Sequence, residues 1–235
     1  KIRTGADFLK ILNAVSELSD YLTMKLQKNG ISINQMDVSG IAMISTFIQP
    51  STLQEYIFND NDKLIQIDIS RPNMKLLKSI KDDNLLLTIN DKVLDIKTNT
   101  QQIQIPILDG TKEDKEPSGY IYPNLIIVNA KQLKDILKTY KKIVSYVRFE
   151  IRGKDLVLGF KNDSINSEIV IPNVVVNNSE PCSVIYNLDY VINLINACDN
   201  KSDIEIYLKD NSPIKFVYEI GGNKIKGYLA PYLEY

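Results

Sequence analysis

Lysines repeated at steps of three and four can present a row of ammonium groups to a row of phosphates, and this chain contains two such sets. One is Lys131, Lys134, Lys138 and Lys141, with Lys142 beside it, in a segment 130–142 of helical period. The other is Arg71, Lys75, Lys78 and Lys81, on a helical segment 72–81. The opposite faces, Leu133/Ile136/Leu137/Tyr140 and Met74/Leu77/Ile80, are apolar and suit packing on a sheet. Five lysines less Asp135 give +4 in the first segment, and Arg71 with three lysines gives +4 in the second. Against a net charge of −1, the remainder holds −9. A single lysine-rich face is ordinarily a solvated surface. Two on an otherwise acidic chain segregate the charge and point to a polyanion facing one side of the molecule.

Other chemistry has little to stand on. The chain has no histidine, which removes the commonest general base, the commonest transition-metal ligand and every Ser-His or Cys-His nucleophile. No phosphate-cradling Gly-rich motif is present, and Gly221-Gly222 sits in a turn without a dinucleotide fingerprint. The acidic pairs Asp60/Asp62 and Asp82/Asp83 lie in polar, turn-like stretches where such residues serve the backbone. Cys182 and Cys198 have no metal-type spacing and fit buried thiols in a reducing compartment. No catalytic residue, metal or cofactor is therefore expected. Apolar content of 44% and charged content of 24% describe a soluble globular protein, and no apolar run is long enough to span a membrane. The opening Lys1-Ile2-Arg3 does not read as a signal peptide.

The elements that must position the lysines form a repeat. Helix-period segments begin near Asp7, Pro72, Ala130 and Leu188, and each is followed by an apolar strand, a tight turn and a second strand. The turns are Asn29-Gly30, Asn90-Asp91, Arg152-Gly153 and Asp210-Asn211. Alternation turns Ile65/Ile67/Ile69, Val147/Phe149/Ile151 and Ile204/Ile206/Leu208 inward. Asn129 and Asn187 are placed to cap the third and fourth helices. The expected fold is α+β: two similar domains, 1–108 and 120–235, each of antiparallel sheets with two helices on one face, joined by a polar linker 109–119. A basic wall of helix faces without interleaved aromatics suits the backbone of double-stranded DNA, read without sequence preference.

Particular residues then carry a resemblance. Tyr228-Leu229-Ala230-Pro231-Tyr232-Leu233-Glu234 resembles the C-terminal segment of the proliferating cell nuclear antigen (PCNA) family of DNA sliding clamps. Ile33-Asn34-Gln35-Met36-Asp37-Val38-Ser39 resembles the Met-Asp-Ser stretch that follows the family's first hairpin, and the similarity runs in order along the whole chain. The resemblance implies two clamp domains per chain and a head-to-tail trimer closing into a ring around DNA. DNA would meet Lys10, Arg71, Lys75, Lys78, Lys81, Lys131, Lys134, Lys138, Lys141 and Lys142. By position, Ile103, Ile105 and Ile107 would lie on the edge strand of the first domain. Ile169 and Ile171 would lie on its partner strand in the neighbouring subunit. A groove for partner peptides, from DNA polymerase, clamp loader and other proteins with PCNA-interacting motifs, would be formed by Met36, Ile41, Pro213, Tyr228, Ala230, Pro231 and Leu233, with Tyr232 at the rim.

There are departures. The linker is highly charged and lacks the leucine that normally completes the groove, and Gly40 stands where many members have a larger polar residue. The fourth helix is nearly neutral on its polar side, and the first offers mainly Lys10, opposed by Asp7 and Glu17. The implied function is a processivity factor in replication and repair, in the nucleus of a eukaryote or otherwise at the site of DNA replication, in cytoplasm or viral factory. Two alternatives keep the fold: a subunit of a hetero-oligomeric, checkpoint-type clamp, and a peptide-binding scaffold that never encircles DNA. A metal nuclease using Asp60/Asp62 is a distant alternative of another class.

Overall fold

A computed structural model of the chain describes residues 1–58, 61–80, 84–108, 113–178 and 180–233. Residues 1–116 with 219–225 form one unit, and 117–218 with 226–235 form the other.

The first unit runs β1 (Ile2–Thr4), α1 (Ala6–Ser16), β2 (Tyr21–Gln27), β3 (Gly30–Met36), β4 (Ala42–Ile48), β5 (Glu55–Tyr56), β6 (Lys63–Asp68), α2 (Arg71–Lys78), β7 (Leu85–Ile89), β8 (Val93–Lys97) and β9 (Gln102–Leu108). Its strands are antiparallel in the order β4-β3-β2-β6-β9-β8-β7-β1-β5. The second runs β10 (Asn124–Asn129), α3 (Ala130–Tyr140), β11 (Tyr146–Arg152), β12 (Asp155–Lys161), β13 (Asn166–Ile171), β14 (Val175–Asn178), β15 (Ser183–Asn187), α4 (Leu188–Ile195), β16 (Asp203–Leu208) and the larger parts of β17 (Ile214–Ile220) and β18 (Asn223–Leu229), whose residues within 219–225 belong to the first unit. There the orders are β14-β10-β16-β17-β18 and β13-β12-β11-β15.

The repeat is a strand, a helix and three strands, one strand longer at each end than its sequence signature. The repeats interlock. In the first unit β1 pairs with β7 and β6 pairs with β2, so each repeat lends its first strand to the ladder of the other. The same exchange joins β10 to β16 and β15 to β11 in the second unit.

Local chemistry explains the elements. Asn129 Oδ1 accepts from the backbone N–H groups of Lys131 and Gln132, and Asn187 Oδ1 from those of Asp189 and Tyr190, capping α3 and α4 as expected. Gly5 and Ser70, ahead of α1 and α2, make no such bond. The β2–β3 turn needs its glycine: Gly30 has φ +143°, and a Cβ there would lie 2.5 Å from the Ile48 carbonyl. Helix stripes Phe8/Ile11/Leu12/Val15, Met74/Leu77, Leu133/Leu137 and Leu188/Val191/Ile192/Ile195 are buried, each fully buried Leu or Phe contributing about 1.5–3 kcal/mol. In the second unit Phe149 meets Tyr186 and Phe216 edge-on, at 5.9 and 6.3 Å between ring centroids. Cys182 and Cys198 are buried and unbridged, and burial pushes their thiols up to about 12 and about 11.

The first unit extends to residue 116, inside the stretch expected to be linker, and carboxylates explain why. Asp114 Oδ2 accepts the Met36 N–H at 2.9 Å, Glu116 Oε2 accepts the Ser45 hydroxyl at 3.1 Å, and Glu113 lies 3.9 Å from Lys25. Residues 109–112 lie outside the described residues.

Candidate nucleic-acid interface

On α2, Arg71, Lys75 and Lys78 are exposed opposite the buried Met74 and Leu77. Lys75 and Lys78 also fall in the last turn, where a cation complements the helix dipole. On α3 and the turn after it, Lys131, Lys138, Lys141 and Lys142 are exposed. Arg71, Lys75, Lys78, Lys131, Lys138 and Lys142 make no ion pair with a described residue, so their charge faces solvent. Lys10 is exposed on α1 but sits 2.7 Å from Asp7, which cancels much of its field. Lys81 lies outside the described residues, as do Asp60, Asp82 and Asp83.

Lys134 corrects the sequence reading. It is only 5% exposed, and its ammonium donates to the carbonyls of Asn196 (3.0 Å) and Cys198 and to Asn200 Oδ1 (3.2 Å). Asn196 caps the C-terminus of α4, so Lys134 fills the place where carbonyls lack intrahelical donors and the dipole is negative. Burial lowers its pKa, opposed by the nearby Cys198 and Asp199. The cause is angular. At roughly 100° per residue, Lys131, Lys138 and Lys142 share one line, whereas Lys134 and Lys141 lie about 60–80° round the axis. That flank faces α4, and Lys141 accordingly reaches Asp189 at 3.4 Å. The outward ridge of α3 is Lys131, Lys138 and Lys142.

The expected groove residues fall in both units. In the first, Met36 is half-buried at the end of β3 and Ile41 is 39% exposed. Asp37 shapes their loop: Oδ1 accepts from the N–H groups of Ile41 (2.9 Å) and Ala42 (2.8 Å), and Oδ2 from that of Ser39 (3.1 Å). Val38 is thereby held at the tip, 99% exposed, a residue the sequence reading passed over. In the second unit Tyr228 is buried and belongs to the core. Pro213, Ala230 and Pro231 are half-buried, and Tyr232 and Leu233 are exposed. Tyr120 and Ile121 are exposed too.

The five isoleucines assigned to a subunit contact face the chain's own interior more than outside. Ile105 and Ile171 are buried, and Ile103, Ile107 and Ile169 are half-buried. Alternation is the reason: on β9 the exposed residues are Gln102, Gln104 and Pro106, and on β13 they include Glu168 and Val170. The strands themselves do have open backbone. β9 pairs with β8 along Gln102–Pro106, and β6 reaches its other side only at Ile107–Leu108. β13 pairs with β12 alone among the described residues. Among the described residues, no group of three or more Cys, Asp or Glu could hold a metal, and no helix is long and apolar enough to cross a membrane.

Comparison with known proteins adds to this geometry. The family profile described as proliferating cell nuclear antigen, N-terminal domain, matches residues 1–110. The DNA polymerase sliding clamp of Methanococcus vannielii is 27% identical over 244 residues, covering 97% of this chain and 96% of the relative. Among solved structures, A. fulgidus PCNA bound to the C-terminal region of FEN-1 superposes with a TM-score of 0.88 at 20% identity, covering 100% of this chain and 98% of that one. A chain of the PCNA2–PCNA3 complex from Sulfolobus tokodaii gives 0.85 at 19% identity, covering 99% of each.

Proposed function

We propose that the chain is a DNA sliding clamp of the proliferating cell nuclear antigen family, from the family profile matched by residues 1–110 and the likeness to sliding clamps along nearly its whole length. Three subunits would close around duplex DNA and tether polymerase, loader and other replication or repair proteins to it. The observation that carries this reading is the pair of exposed basic ridges, Arg71/Lys75/Lys78 in one unit and Lys131/Lys138/Lys142 in the other. Each stands opposite a buried apolar stripe, so rigid helices hold the charge in place. Lysines contact phosphates singly and exchangeably, which lets a duplex slide. The protein supplies no bond-making chemistry; its work is topological, at the place where DNA is replicated. The open edges of β9 and β13 are the backbone a neighbouring copy would pair with, and pairing would remove edges otherwise prone to aggregation.

The test is polymerase synthesis on a primed circular template with a matched loader. Stimulation that disappears when the template is linearised with free ends supports encirclement; no stimulation of a loaded reaction would sink the reading. A second reading, membership of a ring of unlike subunits, is favoured by the likeness to a chain of the two-protein PCNA2–PCNA3 complex. Light scattering separates the two: a mass near three times 26.7 kDa, about 80 kDa, belongs to the homotrimer, and a monomer at all concentrations to the hetero-ring.

A further inference from the structure

We propose that Tyr146 is a positioning residue that latches the C-terminal segment 230–233 and so holds the partner-facing side chains of that segment in place. The segment forms no strand or helix, so it keeps one position only through contacts of its own. Two contacts tie it. The Tyr232 N–H donates to the Ile185 carbonyl at 2.8 Å, and the Tyr146 and Tyr232 rings lie 4.2 Å apart between centroids, tilted by 34°.

Register explains why the first contact is available. β15 bonds to β11 through its even-numbered residues, as Leu188 N to Ser145 O and Ile151 N to Cys182 O show. Ile185 therefore turns its carbonyl away from β11, on the open edge of β15. One backbone bond leaves the segment free to hinge about it. The ring of Tyr146, on the outward face of β11, supplies the second point and fixes its angle. The Tyr146 hydroxyl is held above its ordinary pKa by desolvation and by Tyr232, in keeping with a closed contact. The pair also lines one end of an open groove over Arg148, Gly159 and Ile185, so the rings meet across a surface otherwise open to water.

This inference rests on the proposed function, because it assumes that segment 230–233 meets partner proteins. The experiment uses the full chain and a fluorescent synthetic peptide copying the C-terminal region of FEN-1, with carboxypeptidase digestion of the segment as an independent readout. Wild-type protein should bind the peptide. Tyr146→Ala should weaken binding about three- to tenfold, the range an aromatic pair supplies, and speed digestion. Tyr146→Phe, which keeps the ring and loses only the hydroxyl's bond to Tyr232, should restore most of both. Tyr146→Ala added to Tyr232→Ala should weaken binding no further than Tyr232→Ala alone, because both remove one contact. Additive losses, or digestion and binding unchanged by Tyr146→Ala in a protein of normal circular dichroism, would overturn the latch. A wild-type protein that fails to bind the peptide counts against the partner-docking reading instead, and the digestion rates still decide the latch.

Discussion

Replacing Lys134 by Met separates a lysine that builds the protein from lysines that would touch DNA. Methionine keeps most of the aliphatic stem and removes the ammonium with its bonds to Asn196 O, Cys198 O and Asn200 Oδ1. Bonds to a charged group contribute about 1.5–3 kcal/mol each when taken singly. The three are not additive here, since recovery of the ammonium's desolvation offsets part of the loss and water can reach carbonyls at a helix end. A net loss of about 2–3 kcal/mol follows. For a unit of this size that lowers the melting temperature by roughly 8–20 °C. Lys138→Met, on the exposed line of the same helix, should change stability by less than about 0.5 kcal/mol.

DNA binding should show the reverse order. The slope of log affinity against log salt should fall by up to about 0.9 for each phosphate contact that Lys138 loses. It should stay unchanged in Lys134→Met measured below its own transition. Calorimetry and a salt titration of binding to a closed circular duplex measure the two quantities on the same preparations. If both variants lower the salt slope equally and neither lowers the melting temperature, Lys134 faces DNA and the flank assignment on α3 is wrong.

Three further outcomes are expected. Cys182, Tyr122 and Tyr207 are each pushed up to about 12, Cys198 to about 11, and Tyr186 further still, mainly by burial. Folded, these groups stay neutral where unfolded thiols ionise near 9 and phenols near 10, so their contribution is intact below pH 9 and lost as pH rises beyond it. Lys134, lowered from 10.5, acts in the opposite sense but is one group against five, all in the second unit. Calorimetry from pH 8 to 11 should therefore show the second unit melting progressively earlier, and a flat profile would contradict the burial of these groups. The Tyr122 hydroxyl is buried without a hydrogen-bond partner among the described residues, so Tyr122→Phe should be neutral or stabilising by up to about 1 kcal/mol. A loss greater than that in urea unfolding would reveal a partner. Val170→Pro deletes an N–H that faces away from β12 on the open strand β13, leaving the β12 ladder intact. Where the unsubstituted chain forms the proposed trimer, light scattering should show the variant as single chains of unchanged circular dichroism; a variant trimer would place the subunit contact elsewhere.

Much of this molecule was legible in periodicity. Asn129 and Asn187 announced their caps, the alternating isoleucines fixed which faces turn inward, and the four turns marked the repeat. Of the strands that precede the helices, β6 showed its alternation in Ile65/Ile67/Ile69, whereas β1, β10 and β15 pair with the other repeat and gave no such local signal. Lys134 was misread for a related reason. Its partners lie 62–66 positions along the chain, and a step of four residues leaves a 40° ambiguity that only a neighbouring helix resolves. The linker's attachment through Asp114 to Met36, 78 positions away, was equally invisible to composition, which registered only that the stretch was charged. The isoleucines expected at a subunit contact lie on strands with open backbone, but the alternation of Ile with Gln on β9 already turned their side chains inward and left the glutamines exposed.

The exchange of first strands between repeats has a consequence for how the chain acquires its shape. Ile2 pairs with Tyr56 on the short β5 and with Leu87 on β7, so β1 is not built into the main sheet until most of the first unit has been made. A single repeat holds a helix and three strands whose ladder is finished only by a strand from its sibling. Half a unit is thus expected to stay unfolded on its own, and the whole unit to fold slowly, since pairs this distant must close a long loop before any contact rewards it. During synthesis the nascent chain would expose β2, β3 and β4 as an incomplete sheet throughout that interval, an exposure that favours holding by chaperones. Deleting or duplicating one repeat would strand an edge on either side of the cut, so in this fold length can change only by whole units.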